Sequence, residues 1–273
     1  MAIGQRSEDG VVELRKANWC RIGSGVGPAP AESRLAAAAD LIRESRFLEK
    51  HPKLRLQARL VKARPEVFSE NLVHRLIGPN LKDLAHFDLG VRPLLNLVRI
   101  CGQATDPVGL IDFGCYHTEF AARFAAGKRF DAIVRMGSVH ITNDVSIGLA
   151  IPSAQAEKLK RRFGLGQVPP MHPGLEFQVQ DAGFYQQIVH ARVSEILEAL
   201  EREFPSDFHR RDLTGGLWIT GRGSNLPGLT NFLKYRYSLP VQRMSDLPVP
   251  WNSSVHAPEE TWPAVSLLYA DPK

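Results

Sequence analysis

From Pro107 onward the sequence alternates short apolar runs of strand length with longer segments of helical period. Such alternation lets each helix bury one face on a sheet, and it predicts an α/β domain with a mixed sheet flanked by helices. The run 108–113 is apolar until Asp112 and then meets Gly114, as a buried strand entering a tight turn does. Further strands are expected at 120–124, 132–136, 216–220 and 239–242. Thr142, Asn143 and Asp144 offer N-cap oxygens to a helix carrying Val145, Ile147 and Leu149. A second helix starts at Pro152 and Ser153 and ends at Gly164, with Ala156, Leu159 and Phe163 on one face. A long amphipathic helix over 184–204 buries Ile188, Val189, Val193, Ile196, Leu197 and Leu200, and another opens at Pro227. Between them, 165–182 carries Pro169, Pro170 and Pro173 and is expected to be an irregular or hairpin insertion.

Three junctions, at 112–118, 137–144 and 220–228, share one character: a strand ends, a polar glycine turn follows, and a helix begins. Backbone N–H groups exposed at such a start form a phosphate cradle, and an acid such as Asp112 holds Mg²⁺ beside it through water. One such turn is commonplace in any α/β sheet. Glu157 and Lys160, spaced i,i+3, are by themselves an ordinary solvated pair.

The first hundred residues are less organised. Helices are expected at 31–48 and 91–100, and 1–30 as loop apart from a short alternating run near Val11–Leu14. Gly23, Gly25 and Gly27 have the wrong spacing for a dinucleotide loop, and Pro28 and Pro30 follow where a helix should open. Residues 50–64 hold six basic side chains and no acid. They form either a solvated face or a surface for anionic lipid, nucleic acid or an acidic partner. No aromatic residue interleaves with these charges, which argues against nucleic-acid recognition. The three cysteines, Cys20, Cys101 and Cys115, are far apart and fit a reduced cytoplasm. No secretory signal is evident, and no run reaches the ~20 apolar residues that span a bilayer. None of the nine histidines pairs at metal-ligand spacing, and Ser224 lacks the context of a hydrolase nucleophile.

The order of four segments carries a family resemblance. Ile141-Thr142-Asn143-Asp144 with Val145 and Ile147 resembles the run that opens a helix in the bacterial division protein FtsA. Ala156-Glu157-x-x-Lys160, closed by Phe163-Gly164, is similar to that family's A-E-x-x-K helix, and Arg192 with Glu195 to its R-x-x-E helix. Leu217 to Gly221 with Leu226-Pro227-Gly228 resembles its adenosine-side turn. The pilus-assembly relative PilM, of the same fold, is the second match. The resemblance implies an actin-like, ribonuclease H-like fold: a first half, 1–104, reduced or truncated, and a nucleotide-side second half, 105–273. It also implies ATP with Mg²⁺. Asp112, Gly114 and Thr118 would lie in a phosphate loop with Asp112 at the metal, Gly137 in a second turn, Glu157 and Lys160 along the nucleoside, and Gly221 and Gly223 near its sugar and α-phosphate.

The departures shape the expected function. Cys115 and Tyr116 stand where the family has glycines, Ser138 and Arg222 each replace another, and no first phosphate loop is recognised at the N-terminus. The expectation is a cytoplasmic FtsA-type scaffold of cell division, weak or inactive toward ATP. The alternatives are a PilM-like pilus protein, an active polymerising ATPase, or a basic adaptor acting through 50–64. Expected partners are division or pilus-assembly proteins and further copies of the chain, with membrane contact only indirect or through 50–64. FtsA proteins end in an amphipathic membrane helix, whereas Tyr269-Ala270-Asp271-Pro272-Lys273 does not suit one. Liposome flotation at physiological salt is therefore expected to be negative, and strong salt-resistant binding by the purified chain would contradict it.

Overall fold

The computed structural model describes residues 2–6, 12–17, 91–102, 104–124, 128–166 and 182–247. The expected helix at 31–48, the basic segment 50–64 and most of the insertion at 165–182 lie outside them. By contacts the chain divides into two units, Met1–Gly102 with Pro248–Lys273, and Gln103–Leu247.

In the first unit, β1 (Ala2–Arg6) pairs antiparallel with β2 (Val12–Ala17), with a register shift between Ile3 and Gly4. Two paired strands thus lie where the sequence predicted loop with one short alternating run near Val11–Leu14. The irregular register explains the miss, because a bulge breaks the strict alternation by which a strand is recognised. Helix α1 (Val91–Cys101) buries Val91, Leu94, Leu95 and Val98 at i, i+3, i+4 and i+7. Pro93 is tolerated there because first-turn N–H groups have no intrahelical acceptor.

The second unit is built on a five-stranded mixed sheet. Its strands are β3 (Val108–Phe113), β4 (Thr118–Arg123), β5 (Arg129–Val134), β6 (Leu217–Thr220) and β7 (Val241–Arg243), in the order β5-β4-β3-β6-β7. β3, β4 and β5 form an antiparallel meander, while β6 and β7 join it in parallel. Parallel pairing requires a crossover. Among the described residues the connection from β5 to β6 carries three α-helices, α2 (Ser138–Gly148), α3 (Ser153–Phe163) and α4 (Ala182–Arg202), and α5 (Leu229–Tyr237) links β6 to β7.

Alternation along the strands divides the side chains between two faces. Ile111 and Phe113 of β3, Phe120 and Ala122 of β4, and Leu217 and Ile219 of β6 pack with the helices in one core. α4 lines it with Tyr185, Val189, Val193, Ile196, Leu197 and Leu200, all fully buried. Two bidentate arginines fasten the helices: Arg192 on α4 grips Asp144 on α2, and Arg236 on α5 donates to both oxygens of Glu201 on α4, at 3.0 and 3.2 Å.

Phe120 is the hub of an aromatic cluster, its ring centroid 4.7 Å from Phe204, 5.9 Å from Phe208 and 6.0 Å from Phe130. Phe120→Ala is expected to lower stability by about 3–5 kcal/mol in urea unfolding. Tyr235→Ala, at a side chain 91% exposed, should change it by less than about 0.5 kcal/mol. Equal effects of the two would show that this cluster is not the packed core.

Candidate functional site

β3 and β4 are joined by a tight hairpin turn in which Gly114 N–H donates to the His117 carbonyl at 3.0 Å. At the carboxyl end of β3, Asp112 is buried, and Thr118 opposite Phe113 is fully buried. The Thr118 hydroxyl donates to Met136 O at 2.8 Å, tying the hairpin to the exit of β5.

β6 runs parallel to β3 and ends beside it, with Thr220 opposite Asp112. The chain then turns at Gly221, whose φ of +87° disfavours a side chain. A Cβ there would also strike Asp112 Oδ1 and come within 2.6 Å of Phe113 O. Ser224 Oγ closes the turn by donating to Gly221 O at 2.7 Å, and the Arg243 guanidinium on β7 donates to Ser224 O at 3.0 Å and to the Asn225 side chain. Asp112, Gly114, Thr118, Gly221 and Gly223 thus meet at the carboxyl ends of two parallel neighbours, where open α/β sheets bind ligands.

Gly137 belongs to the same assembly but plays a different part. The first two amides of α2 are committed: Ser138 N–H donates to Gly114 O at 3.0 Å and Val139 N–H to Cys115 O at 2.9 Å. The approach is so close that a Cβ on Gly137 would lie 2.6 Å from Cys115 O and 2.7 Å from Gly114 O. His140 Nδ1 accepts from Gly137 N–H at 3.1 Å and completes the cap. α2 therefore begins four residues before Thr142, and Thr142, Asn143 and Asp144 lie inside it rather than at its cap. The physical reason is that the hairpin carbonyls satisfy the helix start, so no Ser, Thr or Asp is needed there.

Glu157 and Lys160 on α3 form a second cluster against α2. Lys160 is buried, and its ammonium group donates to Ser138 O at 3.0 Å and Thr142 Oγ1 at 2.8 Å and pairs with Glu157 Oε2 at 2.5 Å. These three partners use all three of its donors. Thr142 Oγ1 donates to Glu157 Oε2 at 2.5 Å and Arg161 Nε to Oε1 at 2.7 Å. Burial pushes the Glu157 carboxyl up, but the hydrogen bonds from Lys160, Thr142 and Arg161 together outweigh it and hold the group below the ordinary carboxylate range. The pair is thus a partly buried network, not the solvated couple that spacing alone suggests. It joins the hairpin assembly through Ser138, whose N–H and carbonyl serve one cluster each.

Sequence reasoning missed Glu119, and it placed His117 near a suspected site without giving it a role. Glu119 is buried directly opposite Asp112, with His117 Nε2 3.2 Å from its Oε1. The signal was the hairpin register: a strand beginning at Thr118 instead of 120 brings Glu119 across from Asp112.

No family model matches the chain. Among curated proteins it is 33% identical to cell division protein FtsA of Bacillus subtilis over 132 residues, 45% of this chain and 30% of that protein. It is 27% identical to FtsA of Neisseria meningitidis serogroup B over 146 residues, 50% of this chain and 35% of that protein. The chain spans about a third of the length of these relatives. Among solved structures, a non-polymerising MamK mutant bound to AMPPNP superposes with a TM-score of 0.55 at 13% identity, covering 91% of this chain and 78% of that one. The archaeal actin homolog Ta0583 gives 0.50 at 16%, covering 94% and 81%. MreB5 of Spiroplasma citri bound to ADP gives 0.50 at 13%, covering 86% and 75%. Over about half its length the sequence is FtsA-like, and the fold is actin-like.

The Glu157 network has a pH signature. Its folded carboxyl binds a proton less readily than the unfolded one, so its contribution to stability is present above the ordinary value of 4.5 and is lost as pH falls through the lower folded value. Urea unfolding between neutral pH and pH ~3 should show that decline, flattened in Glu157→Gln. Lys160→Met, which leaves Ser138 O and Glu157 short of a buried donor, should cost about 1–3 kcal/mol at neutral pH. An unchanged acid slope in Glu157→Gln would show that the carboxylate is not engaged.

Proposed function

We propose that this FtsA-like chain is an actin-fold scaffold of bacterial cell division that binds adenine nucleotide with Mg²⁺ weakly and hydrolyses it very slowly. The observation that carries this is the meeting of Asp112, the Gly114 turn and the Gly221–Gly223 turn at the carboxyl ends of β3 and β6, in a chain whose curated relatives are FtsA proteins. MreB5 of Spiroplasma citri is known with ADP and with AMPPNP, and MamK with AMPPNP, which supports nucleotide binding by a chain of this fold. Gly221 and Gly223 leave the backbone bare for close approach. Asp112 would hold Mg²⁺ through water, and the ion, when bound, neutralises phosphate charge.

Three features support weak handling. Cys115 and Tyr116 place side chains in the hairpin turn where close approach needs glycine. The first amides of α2 are spent on hairpin carbonyls, so they do not serve an anion. Lys160 has no donor left over. Phosphoryl transfer depends on pre-organised donors and metal around the terminal phosphate, and removal of a single donor lowers the rate by ~10²–10³. A scaffold works by presenting surfaces to division proteins or to further copies of the chain, and needs no fast turnover. Among the described residues no helix is long and apolar enough to cross a membrane, so the proposal places the chain in the cytoplasm and at the inner face of the membrane through a partner.

Calorimetric titration with Mg²⁺ and ADP should give weak binding that Gly221→Val abolishes, because the new side chain collides with Asp112. Steady-state phosphate release should stay near background in the wild type and in Asp112→Ala. Robust turnover that disappears in Asp112→Ala would overturn the slow-hydrolysis proposal, and absence of any nucleotide binding would overturn the site.

A further inference from the structure

The sheet of the second unit ends in two edges, β5 and β7. β7 is three residues long, and shortness is one way an edge is kept from pairing. β5 runs for six residues, Arg129–Val134, and among the described residues no strand pairs with its outer side. The ladder fixes which of its backbone groups point there. Phe124 N–H donates to Lys128 O at 2.8 Å, one step beyond the facing residues Arg123 and Arg129. Bonded and non-bonded pairs alternate along an antiparallel ladder. Phe130, Ala132 and Val134 therefore bond to β4, and Arg129, Asp131 and Ile133 turn their N–H and C=O groups outward. The β3–β4 register agrees: the bond from Gly114 to His117 assigns Glu119, Ala121 and Arg123 to β3, leaving Thr118, Phe120 and Ala122 for β5. Side chains follow the same parity. Ala132 and Val134 lie in the helix-side core with Phe130 packed against it, so Arg129, Asp131 and Ile133 lie on the opposite face. Ile133 is 46% exposed, and Arg129 and Arg135 are exposed as well.

Charges on an edge strand ordinarily discourage a neighbour. Here their signs run Arg129, Asp131, Ile133, Arg135, an order that is self-complementary about Ile133. We infer that β5 pairs antiparallel with β5 of a second copy across a two-fold axis at Ile133, so that two five-stranded sheets become one. In that register Ile133 faces Ile133, and Asp131 of each copy faces Arg135 of the other. The pairs that exchange backbone bonds are drawn from the residues whose groups point outward. Other two-fold registers are worse. Centring on Ala132 sets Arg129 against Arg135, and centring on Asp131 sets that acid against itself, and like charges directly opposite are destabilising. Centring on Phe130 pairs Arg129 with Asp131 but leaves Ile133 opposite Gly127, which has no side chain to cover it. The contact is isologous, the same strand serving both copies, so it closes as a dimer. It needs no nucleotide and stands or falls apart from the nucleotide proposal.

The test is sedimentation velocity of the full chain over a wide concentration range, without nucleotide. The wild type should form a dimer whose fraction grows with protein concentration. Ile133→Pro removes an outward N–H and leaves the β4 ladder intact, so it should abolish the dimer while the far-ultraviolet circular dichroism stays that of the wild type. Asp131→Arg sets like charges opposite one another twice and should weaken the dimer by about tenfold or more. Combining Asp131→Arg with Arg135→Asp restores opposite signs and should recover the wild-type dimer. A wild type that stays monomeric at every concentration overturns the inference. So does a dimer indifferent to Ile133→Pro and Asp131→Arg, which some other face would hold. A double variant no tighter than Asp131→Arg alone overturns it too, because charge would then not set the pairing. Should Ile133→Pro fold poorly, the charge exchange decides by itself.

Discussion

The seating of the α2 N-terminus on the β3–β4 hairpin is the contact on which the rest of the site depends. Two backbone bonds, from Ser138 and Val139 to the carbonyls of Gly114 and Cys115, make it. They form only because Gly137 has no side chain to hold the two backbones apart. Once made, the seat fixes where the hairpin points, and Thr118 reinforces it through Met136. It also fixes where Ser138 O lies, and so where the buried ammonium group of Lys160 finds an acceptor. The polar network between α2 and α3 and the glycine turn at the carboxyl end of β3 are thereby joined.

That economy has a functional consequence. A helix start and a lysine are the groups that most readily take an anion, and here both are turned inward. At the end of the sheet lie the buried acids Asp112 and Glu119 and the turn around Gly221.

Much of the frame was legible in the residues. α3 has its start at Ser153, its stop at Gly164 and its buried face at Ala156, Leu159 and Phe163, all from local spacing. α4 lies within two residues of its expected bounds at either end, because its apolar stripe is long and its turns repeat. β3 was plain as an apolar run closed by a glycine. The difficulties came where a partner distant in sequence takes over a local task. Thr142, Asn143 and Asp144 have the chemistry of a cap, yet the helix starts at Ser138 because carbonyls more than twenty residues earlier do the capping. β1 was hidden by its bulge, and β4 and β5 each begin two or three residues before their expected starts, a shift that only pairing reveals.

Sequence alone determined most of the helices and strands described in the second unit and the likeness to FtsA over about half the chain, because periodicity, turn chemistry and residue type are properties of neighbours along the chain. Tertiary structure decided which of those residues meet. It brought Gly221 against Asp112, turned Lys160 inward onto Ser138, and set Glu119 opposite Asp112. Each is a matter of register or of helix seating. A shift of one residue in a hairpin sends every side chain to the other face, and such a register is chosen by packing across the whole sheet.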